Sequence, residues 1–194
     1  MKIIGITGGV GCGKSTVLNL IKENYNAYII MADDVAKELM MPGNAAYNSV
    51  VDMFGNGILC EDGQIDRPVL AKIIFENSNK RMVLNSIVHP LVKKTIVEKI
   101  TELKISGGYD YVFVEAALLI EDHYGTFCDE IWYIYATEQV RRERLRESRG
   151  YSDEKIDSMF KSQLTEQEFR NNSQVVIENS GNIKETLAQL EKLL

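Results

Sequence analysis

Short apolar runs separated by polar turns set the rhythm of this chain. The run Lys2-Ile3-Ile4-Gly5-Ile6-Thr7 is rich in β-branched residues and too short for a helix. A strand buried on both faces reads this way. Comparable runs recur at residues 27–31, 109–115, 130–136 and 174–178. Between them, apolar positions fall at helical spacing. Helices are predicted over residues 15–24, 34–40, 44–54, 67–76, 78–105, 137–148, 152–162 and 182–193. Strands alternating with helices predict an α/β fold, three layers deep, with a five-stranded parallel sheet.

The rhythm has one interruption. About 75 residues separate the second apolar run from the third, and they read mostly as helix. Ordinary crossovers are much shorter. The excess predicts a helical insertion on the carboxyl side of the sheet, where open α/β sheets bind ligands. It is a natural place for a second substrate. The expected division is a single unit, 1–194, with a nucleotide-binding core at 1–34 and 106–194 and the insertion at 35–105.

Chemistry enters at Gly8-Gly9-Val10-Gly11-Cys12-Gly13-Lys14-Ser15-Thr16, which fits the phosphate-loop pattern G-x-x-x-x-G-K-[ST] at every fixed position. A predicted strand precedes it and a predicted helix follows it. Glycines let the backbone turn several N–H groups toward one phosphate, and the helix N-terminus adds to that field. Lys14 has the reach for β- and γ-phosphates, and the Ser15 hydroxyl can ligate Mg²⁺. The expected fold is therefore of the P-loop nucleotide-hydrolase type.

Other candidates admit two readings each. Asp33 follows the second strand, where a carboxylate can accept a proton from an attacking hydroxyl or orient Mg²⁺; Asp33 or Asp34 can equally cap the next helix. His89-Pro90 falls inside the insertion, where proline predicts a bend or a helix start; His89 is a substrate contact or a packed side chain. Arg141, Arg142, Arg144, Arg146 and Arg149 crowd nine residues. Pairs with Glu143 and Glu147 at i,i+4 spacing would make them a solvated helix face. The arginines outnumber those two glutamates, however, and guanidinium forks suit phosphate. Gly150-Tyr151-Ser152 then breaks the helix, so residues 138–163 read as a closing lid. Glu115 ends the third strand, as a Mg²⁺ support or a solvated carboxylate.

Composition narrows the class. The 194 residues are 45% apolar and 26% charged, with a net charge of −6. An acidic chain is a poor general binder of nucleic acid. Cys12, Cys60 and Cys128 are odd in number and far apart, which points to a reducing compartment and away from zinc. The first residues already form a core strand, leaving no room for a signal peptide, and no apolar run spans a bilayer. The expectation is a cytoplasmic protein.

Further segments carry a resemblance. Ile4 to Thr16, Ala32-Asp33 with Val35-Ala36, Pro42-Gly43, Phe54-Gly55, Asp62-Gly63-Gln64-Ile65-Asp66-Arg67, Leu84 to Leu91 including His89-Pro90, Leu118 to Glu121, the arginine-rich lid, Gln163, and Val176 to Gly181 stand in the order found in one family. The chain resembles the dephospho-CoA kinases of the nucleoside-monophosphate-kinase-like P-loop group. The resemblance implies transfer of the ATP γ-phosphate to the ribose 3′-hydroxyl of dephospho-CoA, the last step of CoA synthesis. It implies Asp33 as general base. His89, Arg149 and Arg170 are expected on the substrate and Lys14 on the β- and γ-phosphates, with Arg144 and either Arg149 or Arg141 expected to offset charge on the moving phosphate. It also implies the insertion as the CoA side and Asn179 near adenine. The expected cofactors are ATP and Mg²⁺, and the expected partner is dephospho-CoA alone, with no nucleic acid, no membrane and a monomeric chain. The family usually has an Asp-Ala-Asp triplet where this chain has Met31-Ala32-Asp33. It has a proline where Ala117 stands, a serine at Cys12, and often an arginine at Glu166, whose charge Arg170 would supply.

The rival readings are another kinase of the group, of nucleotide or shikimate type, and a GTP-dependent switch or nucleotide sensor. Asp122-His123-Tyr124-Gly125 fits a loose D-x-x-G. Asn79-Lys80-Arg81-Met82 lacks the aspartate that guanine recognition requires.

Overall fold

A computed structural model describes residues 1–194. Five strands form one sheet: β1 (Lys2–Thr7), β2 (Ala27–Met31), β3 (Tyr111–Glu115), β4 (Glu130–Tyr135) and β5 (Val175–Glu178), in the order β2-β3-β1-β4-β5. β1 lies in parallel register between β3 and β4, with Ile4 opposite Phe113 and Ile6 opposite Trp132. β5 continues the parallel sheet beyond β4. The fold is the three-layer α/β/α arrangement with five parallel strands. Its nine α-helices are α1 (Lys14–Asn24), α2 (Ala32–Leu39), α3 (Tyr47–Phe54), α4 (Arg67–Glu76), α5 (Ser78–Ser106), α6 (Glu138–Arg149), α7 (Asp153–Lys161), α8 (Glu166–Asn171) and α9 (Ile183–Leu190).

Burial follows sheet position. β1, β3 and β4 are buried almost from end to end, while the edge strands β2 and β5 are only partly covered. Phe113 and Trp132 flank β1 on one face and meet edge to face at 5.6 Å, both fully buried. Such pairs add about 0.5–1.5 kcal/mol beyond the area they bury. On the other face Gly5 admits Leu119: a Cβ there would lie 3.0 Å from the leucine Cδ1.

The chain divides into two compact units, Met1–Ile29 with Ser106–Leu194, and Ile30–Ile105. The first contains the greater part of the sheet. The second is helical, and α5 is its longest element. Leu84, Val88, Val92, Ile96, Ile100 and Leu103 are its buried residues. Each four-residue step overshoots a helical turn by about 40°, so the stripe winds about 160° around the axis from Leu84 to Ile100. The buried face therefore spirals.

Two expectations need correction. No helix start occurs at His89-Pro90; α5 runs through Pro90 without a break. The proline is exposed, so the Ser86 carbonyl it leaves without a partner can turn to water. Burial of Val88 and Val92 on either side offsets the lost hydrogen bond. The sequence reading also omitted α8. Its signal was present: Thr165 and Glu168 form a reciprocal capping box.

Replacing Pro90 with alanine restores that hydrogen bond and removes the ring's crowding. The expected outcome for Pro90→Ala is a gain in stability of up to about 3 kcal/mol, read as a higher urea midpoint. A lower midpoint would show that the helix depends on the proline.

Candidate active site

The phosphate loop joins β1 to α1, and its backbone departs from ordinary geometry at glycine. Gly13 caps α1 in the left-handed conformation (φ 89°) and offers no side-chain acceptor. The first-turn N–H groups of α1 are therefore left for an external anion. Gly8 passes so close to β4 that a Cβ would lie 2.5 Å from the Ile134 carbonyl oxygen. These two positions bear out the need for glycine that the motif implies.

Lys14 turns back over the loop. Its Nζ donates to the Gly8 carbonyl at 2.7 Å and stands 3.7 Å from Glu115 Oε1. Glu115 is buried at the end of β3, opposite Ile6 in the sheet register. The Ser15 hydroxyl is exposed on the first turn of α1, and Thr16 is half-buried beside it.

The rest of the loop is gripped through its backbone. Arg141 Nε donates to the Val10 carbonyl at 2.8 Å, and Arg141 Nη2 donates to Gln163 Oε1 at 3.0 Å. That same Gln163 oxygen accepts the Val10 N–H at 3.1 Å. Arg144 donates to the Cys12 carbonyl at 3.2 Å and to the Asn179 carbonyl at 2.7 Å. Asn179 Nδ2 donates to the Cys12 carbonyl at 2.8 Å, while Asn179 Oδ1 accepts from the Thr186 hydroxyl at 2.9 Å. Both members of that last pair are buried. The Asn179 side chain is thus committed to protein partners beneath the loop.

The five lid arginines divide by function. Arg141 and Arg144 hold the loop. Arg141 also lies over the Phe160 ring at 4.1 Å, and burial pulls its guanidinium below the usual arginine range. Arg142 pairs with Glu138 at 2.8 Å and Asp157 at 2.5 Å; Arg146 pairs with Asp153 at 2.5 Å. The expected partners Glu143 and Glu147 are not the ones used. Arginines on α6 reach instead to acids on α7, tying the two lid helices together. Arg149 is exposed and lies 5.9 Å from the Tyr151 ring centroid. Arg170 is occupied by Glu166 at 2.7 Å and by the Tyr135 ring at 4.9 Å. Neither Arg149 nor Arg170 touches the loop.

Asp33 and His89 belong to the other unit. Asp33 is exposed in the first turn of α2, two residues past β2. Neither it nor Asp34 caps that helix. Met31 holds the cap position without a side-chain bond, and Asp34 pairs with Lys37 at 2.6 Å. The capping alternative for Asp33 falls away. His89 is half-buried on α5.

Sequence reasoning missed the part played by Thr186 and undervalued Gln163. Neither had a local signal, because each matters only through the loop atoms it meets. Cys12 is buried in the loop, and burial pushes its thiol above the ordinary cysteine range.

A P-loop kinase core is the class this fold and site define, and comparison with known proteins names the family. The family model for dephospho-CoA kinase matches residues 2–185. The chain is 43% identical over 194 residues to a dephospho-CoA kinase of Carboxydothermus hydrogenoformans, covering 100% of this chain and 93% of that one. A crystal structure from Thermus thermophilus superposes with a TM-score of 0.79 at 27% identity, over 99% of this chain and 95% of that one. A dephospho-CoA kinase from Campylobacter jejuni shares the fold, with a TM-score of 0.71 at 22% identity, over 100% and 98% of the two chains. The chain belongs to the dephospho-CoA kinase family. Its activity is the ATP-dependent phosphorylation of dephospho-CoA in coenzyme A biosynthesis. No helix is long and apolar enough to cross a membrane.

Two measurements follow from the loop's packing. Asn179→Ala strands the Thr186 hydroxyl and takes one of two donors from the Cys12 carbonyl. We expect a loss of about 1–3 kcal/mol in urea unfolding and weaker ATP binding by calorimetry. Unchanged values in both would show that Arg144 alone suffices for the Cys12 carbonyl. In thiol titration of the native protein, exposed Cys60 should react, and Cys12 should react only after unfolding.

Proposed function

We propose that Asp33 is the general base of the reaction and that Lys14 and Arg144 offset charge on the phosphoryl group in flight. Asp33 accepts the proton of the ribose 3′-hydroxyl as its oxygen bonds to the γ-phosphorus. The bond from that phosphorus to the bridging oxygen breaks, and ADP leaves. The loop residues Gly8, Gly9, Gly11, Cys12 and Gly13, with the first turn of α1 including Thr16, hold the phosphates. Positioning and fixed charge supply most of the acceleration.

The observation that carries this reading is the loop itself: Lys14 folded over it, uncapped first-turn N–H groups, and two arginines bound to its backbone. We assign Arg141 as the second lid arginine ahead of Arg149, because Arg141 already lies on the loop. Asn179 serves ATP by fixing the Cys12 carbonyl. Residues 35–105 form the acceptor side, with His89 as a contact, and residues 138–163 form the lid. Arg149 and Arg170 remain assigned to substrate through lid movement, Arg170 by exchanging Glu166 for phosphate.

Mg²⁺ fits the donor set. No three His, Cys, Asp or Glu side chains gather into a metal cage. The ion expected is one that draws most ligands from phosphate and water, as Mg²⁺ does. The Ser15 hydroxyl would bind it directly, and Glu115 would support it through water. When bound, the ion offsets negative charge on the phosphates. All three cysteines are free, which supports a cytoplasmic setting. Loop, lid and base lie on one chain, which supports a monomeric catalyst.

Incubation of the protein with Mg-ATP and dephospho-CoA should yield CoA and ADP in equal amounts. ADP without CoA would overturn the acceptor, and a competition among nucleotide and shikimate acceptors would then find the true one. For Asp33→Asn the expected fall in kcat is about 10²–10⁴-fold with little change in KM. Near-normal turnover would remove Asp33 from the mechanism. Lys14→Ala should abolish activity even with ATP in excess.

A further inference from the structure

Gln163 lies just beyond α7, at the far end of the lid, yet its side chain meets the phosphate loop. Its Oε1 accepts two hydrogen bonds, from the Val10 N–H at 3.1 Å and from Arg141 Nη2 at 3.0 Å. Both neighbours are donors, so the amide oxygen and not the amide nitrogen faces them. A carboxylate oxygen would accept the same two bonds, one of them from a cation. Charge-assisted bonds are roughly twice as strong as neutral ones, so stability alone favours glutamate at this position. The chain nevertheless places an uncharged acceptor there.

That choice matches a division among the arginines of α6. Arg142 takes Glu138 and Asp157, and Arg146 takes Asp153; neither bonds to the loop. Arg141 and Arg144 do bond to it, and neither makes an ion pair. Arg144 rests on the Cys12 and Asn179 carbonyls. Arg141 rests on the Val10 carbonyl, the Gln163 amide and the face of the Phe160 ring. These partners fix the guanidinium without cancelling its charge. Its Nη1 makes no hydrogen bond within the protein and borders the loop at Gly9, where a Cβ would stand 3.0 Å away.

We propose that Gln163 is a positioning residue for catalysis: it aims Arg141 at the transferring phosphoryl group, and its neutrality leaves the guanidinium charge undiminished for that group. The inference rests on Arg141 acting at the moving phosphate. A carboxylate in place of the amide, at the same 3.0 Å from a half-buried guanidinium, would offset the charge that the phosphoryl group is meant to meet. Phe160 and Gln163 both belong to the closing end of the lid, so the aim of Arg141 depends on that end lying against the loop.

Three variants separate this role from that of a structural clamp. Gln163→Glu keeps both hydrogen bonds and adds a charge. Gln163→Met keeps the bulk, loses both bonds and leaves Arg141 charged. Arg141→Met removes the cation. The measurements are kcat, KM for ATP and for dephospho-CoA, and the urea midpoint. Gln163→Glu should unfold at the wild-type midpoint or above it. Its kcat should fall about ten-fold or more, with both KM values within about three-fold of wild type. Gln163→Met should lose less in kcat and more in stability. Adding Gln163→Glu to Arg141→Met should lower kcat no further, because the carboxylate acts through the guanidinium. A clamp predicts the reverse order, with Gln163→Glu near wild type and Gln163→Met slower. That order overturns the proposal, and so does a Gln163→Glu chain that fails to fold. Additive losses overturn it as well, by showing that the carboxylate acts on the phosphates directly. Wild-type kcat in Arg141→Met would instead strike the assignment of Arg141, and the proposal with it.

Discussion

A loop that turns its N–H groups toward phosphate must leave its carbonyls to someone else, and that requirement organises this site. Buried carbonyls without partners are costly. Here Lys14 takes the Gly8 carbonyl, Arg141 takes that of Val10, and Arg144 and Asn179 share that of Cys12. The donors come from α1, α6 and the end of β5. The loop is thus shaped as much by the groups behind it as by its glycines.

This arrangement binds the lid to the nucleotide site. Arg141 and Arg144 are one turn apart on α6, and both use charged donors on neutral carbonyls. Such bonds are stronger than neutral ones, worth about 1.5–3 kcal/mol each. Movement of α6 therefore alters the partners of the loop backbone. α7 follows α6 through the pairs Arg142–Asp157 and Arg146–Asp153. The remaining arginines serve the lid's internal cohesion, so an excess of positive charge in an acidic chain has two separate causes.

The sequence was most informative where one local rule decides structure. Apolar runs placed all five strands, because a doubly covered parallel strand has little freedom in composition. The limits of β1 and β2 agree with the expected 2–7 and 27–31. The loop was legible because its chemistry demands fixed residue types at fixed offsets. What stayed hidden depends on residues far apart in the chain. Gln163 lies 153 positions from Val10, and Asn179 lies 167 from Cys12. Periodicity cannot announce such pairs. The proline in α5 misled for a related reason: a local rule favours a break, but burial on both sides of Pro90 outweighs it.

Glu115 is the remaining constraint, and it explains why Lys14 rests where it does. A carboxylate so buried, at the end of a core strand, is costly to hold charged without a nearby cation. Lys14 is 3.7 Å away and half committed to the Gly8 carbonyl. Arriving phosphates compete for the same ammonium. One lysine is thereby placed between a buried acid and a loop built to receive anions, and both draw on its charge without any movement of the sheet.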